Sequence, residues 1–216
     1  MQEPFAEQRA AMVEQQLRSR GIHDERLLQA MSKVPRHEFL DPAQRQEAYI
    51  DHPIAIGERQ TTSQPYIIAA MLQAAAVRAT DHVLEIGAGS GYQTAILAEL
   101  AGHVIGVERL PGLAASAQLT LSRLGYQHAE IVVGDGSLGW ISSAPYDVII
   151  VSAASPAIPP ALIEQLAAEG RLVIPVGNAQ EQLLQLFLKQ RDGRTSIRTL
   201  EGCRFVPMIG EQGFAV

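Results

Sequence analysis

The sequence predicts an α/β protein with a doubly wound, mostly parallel sheet, and three observations lead to this prediction. After Asp81, short apolar runs alternate with helical stretches, which is the pattern of parallel strands joined by crossover helices. A glycine-rich turn at residues 87–91 joins the first apolar run to the helical stretch that follows it. Near the carboxyl end, Leu184, Leu186 and Leu188 occupy every second position, which is typical of antiparallel strands.

Two helices are predicted at the amino-terminal end of the chain. Residues 7–20 carry helix formers, and Gly21 stands where a left-handed cap would end the first helix. Asp24 is placed to cap a second helix, which we expect to run through Met31. The helical pattern stops before Pro35, because the residue that precedes a proline avoids helical angles. The chain therefore begins with a helical extension rather than with the sheet.

The remaining elements follow a loop that leads to Pro65, a residue suited to the first position of a helix. The helices are predicted at residues 65–77, 92–100, 112–124 and 160–168. The parallel strands are predicted at residues 82–86, 104–107, 130–133, 147–152 and 171–176. Asp192-Gly193 is a strong signal for a two-residue hairpin, so we expect an antiparallel ribbon to finish the sheet.

Composition restricts the class of protein. The chain has 216 residues, 47% of them hydrophobic and 19% charged, which fits one domain with a substantial core. A net charge of −6 argues against broad affinity for nucleic acid. No apolar run is long enough to cross a bilayer, and residues 1–5 lack the layout of a secretory signal. We therefore expect a cytoplasmic protein with neither a membrane nor a nucleic acid as partner.

Cys203 is the single cysteine of the chain. One cysteine excludes an internal disulfide framework and a zinc site built from cysteines, and we expect no metal site. We interpret Cys203 as a buried small hydrophobe beside a strand-like stretch at residues 204–206.

The glycine-rich turn marks a ligand site, since a ligand at such a turn can approach exposed backbone amides. Three glycines alone are a weak signal. A dinucleotide fingerprint requires glycine or alanine at its sixth position, and Tyr92 stands there instead. Glu85, just before the turn, would repel a pyrophosphate. Both features favour a ligand other than a dinucleotide.

S-adenosylmethionine suits these residues better, because it has no phosphate and carries positive charge on its amino-acid tail and sulfonium. Glu85 provides an acidic neighbour for that charge. Glu108, at the end of the second strand, is placed to accept hydrogen bonds from both ribose hydroxyls. Asp135, just past the third strand, offers a carboxylate for the adenine amino group. Acids at three successive strand ends therefore predict a Rossmann-like fold of the class I S-adenosylmethionine-dependent methyltransferases.

Longer stretches point to a particular family of methyltransferases. Upstream of the turn they are VPRHEF at 34–39, AYIDHPIAIG at 48–57 and QTTSQPY at 60–66. Downstream they are GDG at 134–136, Trp140, APYD at 144–147, LIEQL at 162–166, LVIPVG at 172–177 and RFVP at 204–207. Together they closely resemble protein-L-isoaspartate O-methyltransferases over nearly the whole chain, in the family's order.

The resemblance implies the site residues and the organisation of the chain. In that family the stretch that matches residues 60–65 supplies the active-site serine, which here is Ser63. The residues implied to contact the cofactor are Thr61, Thr62, Glu85, Gly87, Gly89, Glu108, Asp135 and Gly136. Residues 1–64 would then form the helical extension and active-site loop of a single domain, and residues 65–216 the cofactor-binding sheet and carboxyl-terminal hairpin.

The resemblance also implies the reaction, which transfers a methyl group from S-adenosyl-L-methionine to the free α-carboxylate of an L-isoaspartyl residue. The products are S-adenosyl-L-homocysteine and an ester that closes to a succinimide, which starts repair of damaged proteins and peptides. We expect the enzyme to be a monomer. A carboxylic acid has a pKa near ~4, so the nucleophile is ionised at neutral pH and needs no general base. Ser63 is suited to orient that carboxylate, although it could alternatively cap the helix that begins at Pro65.

Three departures from the family pattern leave other functions open. Arg59 and Glu169 stand where glycine is common, and Thr62 stands where a branched apolar residue is usual. Because arginine adopts glycine-type angles at a cost, the loop before Ser63 is expected to shift, and a module without catalysis remains an alternative. A methyltransferase that acts on nucleic acid or a small molecule is a second alternative. Enzymes that methylate base amino groups usually carry an Asn/Asp-Pro-Pro-aromatic element after the fourth strand, whereas this chain has VSAASP at 151–156. A nicotinamide-dependent oxidoreductase is the third alternative function.

Overall fold

The computed structural model describes residues 5–215. The helices are Ala6–Ala11 (α1), Glu25–Lys33 (α2), Pro65–Ala75 (α3), Tyr92–Leu100 (α4), Pro111–Arg123 (α5) and Pro160–Gln165 (α6). The strands are Ile54–Gly57 (β1), Gln60–Thr62 (β2), His82–Ile86 (β3), His103–Glu108 (β4), Ala129–Val133 (β5), Tyr146–Val151 (β6), Leu166–Gly177 (β7), Gln182–Lys189 (β8) and Thr195–Cys203 (β9). Residues 1–4, which contributed to the expectation that no secretory signal is present, and Val216 lie outside the described residues.

The main sheet has seven strands in the order β5-β4-β3-β6-β7-β8-β9. The strands from β5 to β7 are parallel, whereas β8 and β9 are antiparallel additions at one edge. The predicted fold class is therefore confirmed, including the amino-terminal helical extension and the carboxyl-terminal hairpin. Within the described part of the chain, no helix combines the length and the apolar character needed to cross a membrane.

The amino-terminal helices follow their local signals. A π-helical segment, Met12–Leu17, and a 3₁₀ turn, Arg18–Arg20, extend α1 as far as Gly21, whose φ is 93°. The carboxylate of Asp24 accepts hydrogen bonds from two backbone N–H groups at the start of α2. Both caps are therefore confirmed, and α2 runs slightly past the predicted end, to Lys33.

Alternate residues of the central strands pack into two hydrophobic layers, one on each face of the sheet. Val83 and Val148 lie in the layer that contains the amino-terminal helices and α3. Their chain neighbours Leu84 and Ile149 lie in the other layer, together with Leu162 of α6. Because both faces are covered, the parallel strands are apolar along most of their length.

The position of β3 identifies where a ligand should bind. The chain places β4 and β5 on one side of β3 and then crosses over to place β6 on the other side. In open α/β sheets, ligands bind outside the carboxyl ends of the strands at such a switch point. The carboxyl ends of β3, β4 and β6 therefore mark the expected site.

The predicted helix at residues 160–168 is too long. Helix α6 ends at Gln165, and Leu166 already has the extended backbone angles of β7. Leu166 pairs with Tyr146 of β6 and is buried, so tertiary packing prevails over the helix propensity of the alanines that follow. The register of the β6–β7 pairing then shifts before Arg171. Glu169 lies in this segment with a φ of 63°, an angle that glycine adopts at no cost.

The hairpin between β8 and β9 is also longer than predicted. The backbone N–H of Gln190 donates to the carbonyl of Arg194 over 2.7 Å, so three residues rather than two form the tip. Gly193 supplies a φ of 84° at this tip. The Asp192-Gly193 signal thus located the turn correctly but not its length.

The hairpin between β1 and β2 leads directly to Ser63. Gly57 pairs with Gln60, which leaves Glu58 and Arg59 as the turn residues. Their φ angles are 49° and 58°, so Arg59 itself takes the left-handed conformation. The turn therefore has the backbone conformation that glycine favours. The substitution places an arginine in this conformation, which is strained for a residue with a Cβ.

We expect Arg59→Gly to raise the free energy of unfolding by about 1 kcal/mol, since a left-handed residue with a Cβ is disfavoured by that order. Urea unfolding of both proteins measures the difference. Arg191→Gly is the matched control, because Arg191 is an exposed arginine in a turn and its φ is not in the left-handed region. Equal or lower stability of Arg59→Gly would show that the turn is not strained.

Candidate functional site

A cavity lies at the carboxyl ends of β3, β4 and β6, where the topology places a ligand site. Five of the predicted cofactor residues line it, namely Thr61, Gly87, Gly89, Glu108 and Gly136. Val206, Pro207 and Met208 close it from the carboxyl-terminal segment. The sequence motifs from β2, β3, β4 and the end of β5 thus meet in one place.

Two glycines keep the wall of this cavity open. Gly89 has a φ of 55°, and a Cβ there would lie 3.1 Å from Ile56 Cδ1. A Cβ on Gly136 would lie 2.4 Å from Ile86 Cγ2, which is closer than real Cβ atoms come to other atoms. A larger residue at either position would displace the cavity wall.

Glu108 is held rigidly by backbone donors. Its side chain is buried, the N–H of Gly89 donates to Oε2, and the N–H of Leu110 donates to Oε1, both over 2.9 Å. Each carboxylate oxygen thus has one protein donor and can accept further hydrogen bonds on the side that faces the cavity. Acceptance of the two ribose hydroxyls by Glu108 stays a prediction.

Glu85 and Thr62 are buried but do not belong to the cavity wall. The Thr94 hydroxyl donates to Glu85 Oε2 over 2.5 Å, and the Gln93 amide donates to Oε1 over 2.9 Å. Burial raises the pKa of Glu85 to about 8, although both hydrogen bonds oppose this shift. The predicted cofactor contacts of Glu85 and Thr62 stay predictions.

The raised pKa of Glu85 predicts a dependence of stability on pH. Between its usual value near 4.5 and about 8, the folded protein binds more protons than the unfolded chain, so stability falls as the pH rises through this interval. In Glu85→Gln we expect the free energy of unfolding to fall less steeply over this interval, by up to about 1.4 kcal/mol per pH unit. Urea unfolding at several pH values measures it, and parallel curves for the two proteins would contradict the assignment.

Asp135 is bound mainly by other parts of the protein. Its Oδ1 accepts from the N–H and hydroxyl of Ser137 at 2.9 and 2.7 Å, and its Oδ2 accepts from the N–H of Glu211 at 2.8 Å. Burial opposes its ionisation, but these hydrogen bonds keep the pKa of Asp135 below its usual value. Gly136 rather than Asp135 lines the cavity. Acceptance of the adenine amino group by Asp135 stays a prediction.

A second cavity, a groove of about 510 Å³, adjoins the first and contains Ser63. Thr61, Ser152 and Val206 line both cavities, so the two spaces meet at these residues. The groove is open to solvent along Arg204, which is exposed. A ligand in the first cavity and a polypeptide in the groove would therefore come together beside Ser63.

Cys203 also lines this groove and is only partly buried, so its interpretation as a buried residue is wrong. It is the last residue of β9, and the strand does not continue through residues 204–206 as expected. Burial raises the pKa of its thiol to about 11, and the charge of Glu201 adds to this shift. The thiol is therefore protonated at neutral pH and unsuited to nucleophilic attack.

The structure removes the interpretation of Ser63 as a helix cap. The cap residue of α3 is Gln64, and the carboxylate of Asp51 accepts a hydrogen bond from the N–H of Tyr66 over 2.9 Å. Asp51 in turn pairs with Arg20 over 2.5 Å, and the guanidinium of Arg20 lies 3.4 Å from the centroid of the Tyr66 ring. The start of α3 is thus stabilised without Ser63, which lines the groove.

Sequence reasoning missed Gln93 and Ser152. The Gln93 amide nitrogen lies 2.8 Å from Ser152 Oγ and 2.9 Å from Glu85 Oε1. Ser152 directly follows β6, and its place at the carboxyl end of a central strand was a signal that could have identified it. Gln93, in the first turn of α4, gave no such signal.

Comparison with known proteins identifies the family of this chain. The family model described as protein-L-isoaspartate(D-aspartate) O-methyltransferase matches residues 7–213. The protein-L-isoaspartate O-methyltransferase of Koribacter versatilis is 51% identical over 211 residues, covering 98% of this chain and 95% of that protein. The protein of the same name from Methanoculleus marisnigri is 52% identical over 212 residues, covering 98% and 96% respectively.

Solved structures show the same fold. A protein-L-isoaspartate O-methyltransferase superposes with a TM-score of 0.84 at 29% identity, covering 95% of this chain and 67% of that chain. A Plasmodium falciparum protein solved with S-adenosyl-L-homocysteine superposes with a TM-score of 0.80 at 24% identity, covering 93% and 98%. At that identity the second likeness supports the fold alone. The first likeness, the family match and the two relatives agree, so this chain belongs to the protein-L-isoaspartate(D-aspartate) O-methyltransferase family.

Proposed function

We propose that this protein transfers a methyl group from S-adenosyl-L-methionine to the free α-carboxylate of L-isoaspartyl residues in damaged proteins and peptides. The observation that carries this proposal is the meeting of two cavities. One contains the glycine turn and Glu108, and the other is a groove that contains Ser63. Thr61, Ser152 and Val206 border both, so a cofactor and a peptide carboxylate can approach each other there.

The residues of the first cavity fit S-adenosylmethionine. Glu108 is fixed by two backbone donors and can accept the ribose hydroxyls. Glu85 is buried outside the cavity wall, and a positively charged tail and sulfonium in the cavity would favour its ionised form. Of the residues lining this cavity, only Arg109 is cationic, which suits a ligand without phosphates. Nothing in the cavity wall supports the nicotinamide-dependent alternative.

The reaction requires alignment rather than acid–base catalysis. S-adenosylmethionine supplies a methyl group on a sulfonium sulfur and leaves as the neutral thioether S-adenosyl-L-homocysteine. The isoaspartyl carboxylate is already ionised, so no residue has to remove a proton. The chain holds the carboxylate oxygen in line with the methyl carbon, and such alignment contributes roughly 7–11 kcal/mol in well-oriented systems. In this mechanism Ser63, which lines the groove, donates a hydrogen bond to the carboxylate.

Repair follows from the chemistry of the ester. The amide nitrogen of the next residue attacks the ester carbonyl, methanol leaves, and a succinimide forms. Water then opens the succinimide to a normal aspartyl or an isoaspartyl linkage. Repeated methylation of the isoaspartyl product shifts the mixture toward the normal linkage without a further active site.

Three further expectations belong to this proposal. The protein acts as a single domain in which residues 1–64 supply the helical extension and active-site loop, and residues 65–216 supply the cofactor-binding sheet and hairpin. It acts as a monomer. It acts in the cytoplasm, on damaged proteins rather than on nucleic acid or a membrane.

Conversion of a purified isoaspartyl peptide tests the proposal. We expect incubation with the protein and S-adenosylmethionine to produce the succinimide and then the normal aspartyl peptide, separated by chromatography. Omission of S-adenosylmethionine is the control and should leave the peptide unchanged. If the protein binds S-adenosylmethionine but the peptide is recovered unmodified, the proposed substrate is wrong. The protein is then better explained as a cofactor-binding module without catalysis.

A further inference from the structure

Ser152 lies immediately after β6, where the cofactor cavity and the groove meet. We propose that Ser152 is a second catalytic hydroxyl, which donates a hydrogen bond to the acceptor carboxylate and orients it together with Ser63. This inference rests on the proposed function and adds a residue to its site.

The hydroxyl of Ser152 is fixed in place by Gln93. The Gln93 side chain is buried, and its amide nitrogen donates to Ser152 Oγ over 2.8 Å. The same nitrogen donates to Glu85 Oε1 over 2.9 Å, so both of its hydrogens are in use. Because Ser152 Oγ accepts from Gln93, the hydroxyl hydrogen is left to donate to another group.

The other residues at the junction are less suited to this task. Val206 has no polar side-chain atom. Thr61 is exposed, and no hydrogen bond fixes its hydroxyl within the described part of the chain. Ser152 is half-buried and has a fixed oxygen, so its donor is preorganised as a reaction that depends on alignment requires.

Two donors are chemically appropriate for one carboxylate. A single hydrogen bond to one oxygen leaves the group free to rotate about its carbon–carbon bond. Hydrogen bonds to both oxygens fix its plane and direct a remaining lone pair of one oxygen at the methyl carbon. Ser63 approaches from the loop that follows β2, whereas Ser152 approaches from the end of β6. The two hydroxyls therefore come from different elements that border one groove.

The link through Gln93 also connects the two reactants. Glu85 is the acidic residue assigned to the positive charge of the cofactor, and Ser152 is assigned to the carboxylate. Both contact one amide nitrogen. A change at Gln93 would therefore disturb cofactor and substrate together. A change at Ser152, which leaves the hydrogen bond from Gln93 to Glu85 in place, should affect mainly the substrate. This difference makes Ser152 the informative position.

The experiment compares Ser152→Ala, Ser152→Thr and the wild-type protein. We expect Ser152→Ala to lower kcat/KM for an isoaspartyl peptide by roughly 10- to 100-fold, as for the loss of one hydrogen bond to a charged group. Its calorimetric affinity for S-adenosylhomocysteine should change less than about twofold. Ser152→Thr keeps the hydroxyl and should recover most of the activity. Ser155→Ala is the matched control, because Ser155 is buried three residues away and lines neither cavity.

The outcomes separate this inference from the proposed function. If the wild-type protein methylates the peptide and Ser152→Ala does so equally well, the inference is wrong and the function stands. If Ser152→Ala loses affinity for S-adenosylhomocysteine as strongly as it loses activity, Ser152 belongs to the cofactor site and the inference is again wrong. If the wild-type protein does not methylate the peptide at all, the proposed function fails and the inference fails with it.

Discussion

Ser63→Ala should lower the turnover of an isoaspartyl peptide by roughly 10- to 100-fold, which corresponds to the loss of one hydrogen bond to a charged group. The reason is geometric. The start of α3 is capped by Asp51, so Ser63 is not required for the helix and its hydroxyl is free to contact a carboxylate in the groove. Initial rates with radiolabelled S-adenosylmethionine measure the effect.

Two controls make this experiment specific to Ser63. The affinity for S-adenosylhomocysteine should change much less than turnover, because Ser63 lines the groove and not the cofactor cavity. Ser32→Ala, at an exposed position of α2, should leave both quantities unchanged. A Ser63→Ala protein with normal turnover would leave the family assignment intact and remove Ser63 from the mechanism.

Glu108→Ala should raise the dissociation constant for S-adenosylmethionine at least tenfold. Two hydrogen bonds from the ribose to a buried carboxylate are lost, and bonds to charged groups contribute about 1.5–3 kcal/mol each. Titration calorimetry measures the affinity, and S-adenosylhomocysteine can replace the reactive cofactor. The alanine variant also frees the backbone N–H groups of Gly89 and Leu110, which both donate to Glu108.

A second variant removes one accepting oxygen but keeps the bulk of the side chain. Glu108→Gln keeps the size of the side chain and one accepting oxygen, so it should bind the cofactor with an affinity between those of the wild type and the alanine variant. Glu130→Ala, at an exposed position of the neighbouring strand β5, is the control. Unchanged affinity in a folded Glu108→Ala protein would show that the carboxylate does not contact the ribose.

The sequence predicted the sheet and part of the lining of the cofactor cavity, because these depend on local patterns. Apolar runs marked the five parallel strands, and the glycine turn with Glu108 and Gly136 marked the cavity that the fold assembles. The position of a site at the carboxyl ends of parallel strands follows from topology alone. For this reason five of the residues predicted to contact the cofactor, although far apart in the chain, line one cavity.

Features that depend on distant contacts were not predicted. The capping of α3 by Asp51 joins a loop residue to a helix fifteen residues later, and the fixation of Ser152 by Gln93 spans 59 residues. Neither contact has a local pattern. The early end of α6 has a similar cause, since Leu166 leaves the helix to pair with Tyr146 in the sheet. At these positions tertiary packing overrides the local secondary-structure propensity.

We propose that the groove presents an isoaspartyl carboxylate, and not a normal aspartyl side chain, to the methyl group. Two peptides that differ only in that linkage, compared by initial rate of methyl transfer, test it most directly. A displacement of the carboxylate by about one ångström costs on the order of 100-fold in reactions that depend on alignment. We therefore predict rapid methylation of the isoaspartyl peptide and none detectable above background for the aspartyl peptide. Equal rates for the two peptides would show that the groove does not select the isoaspartyl linkage.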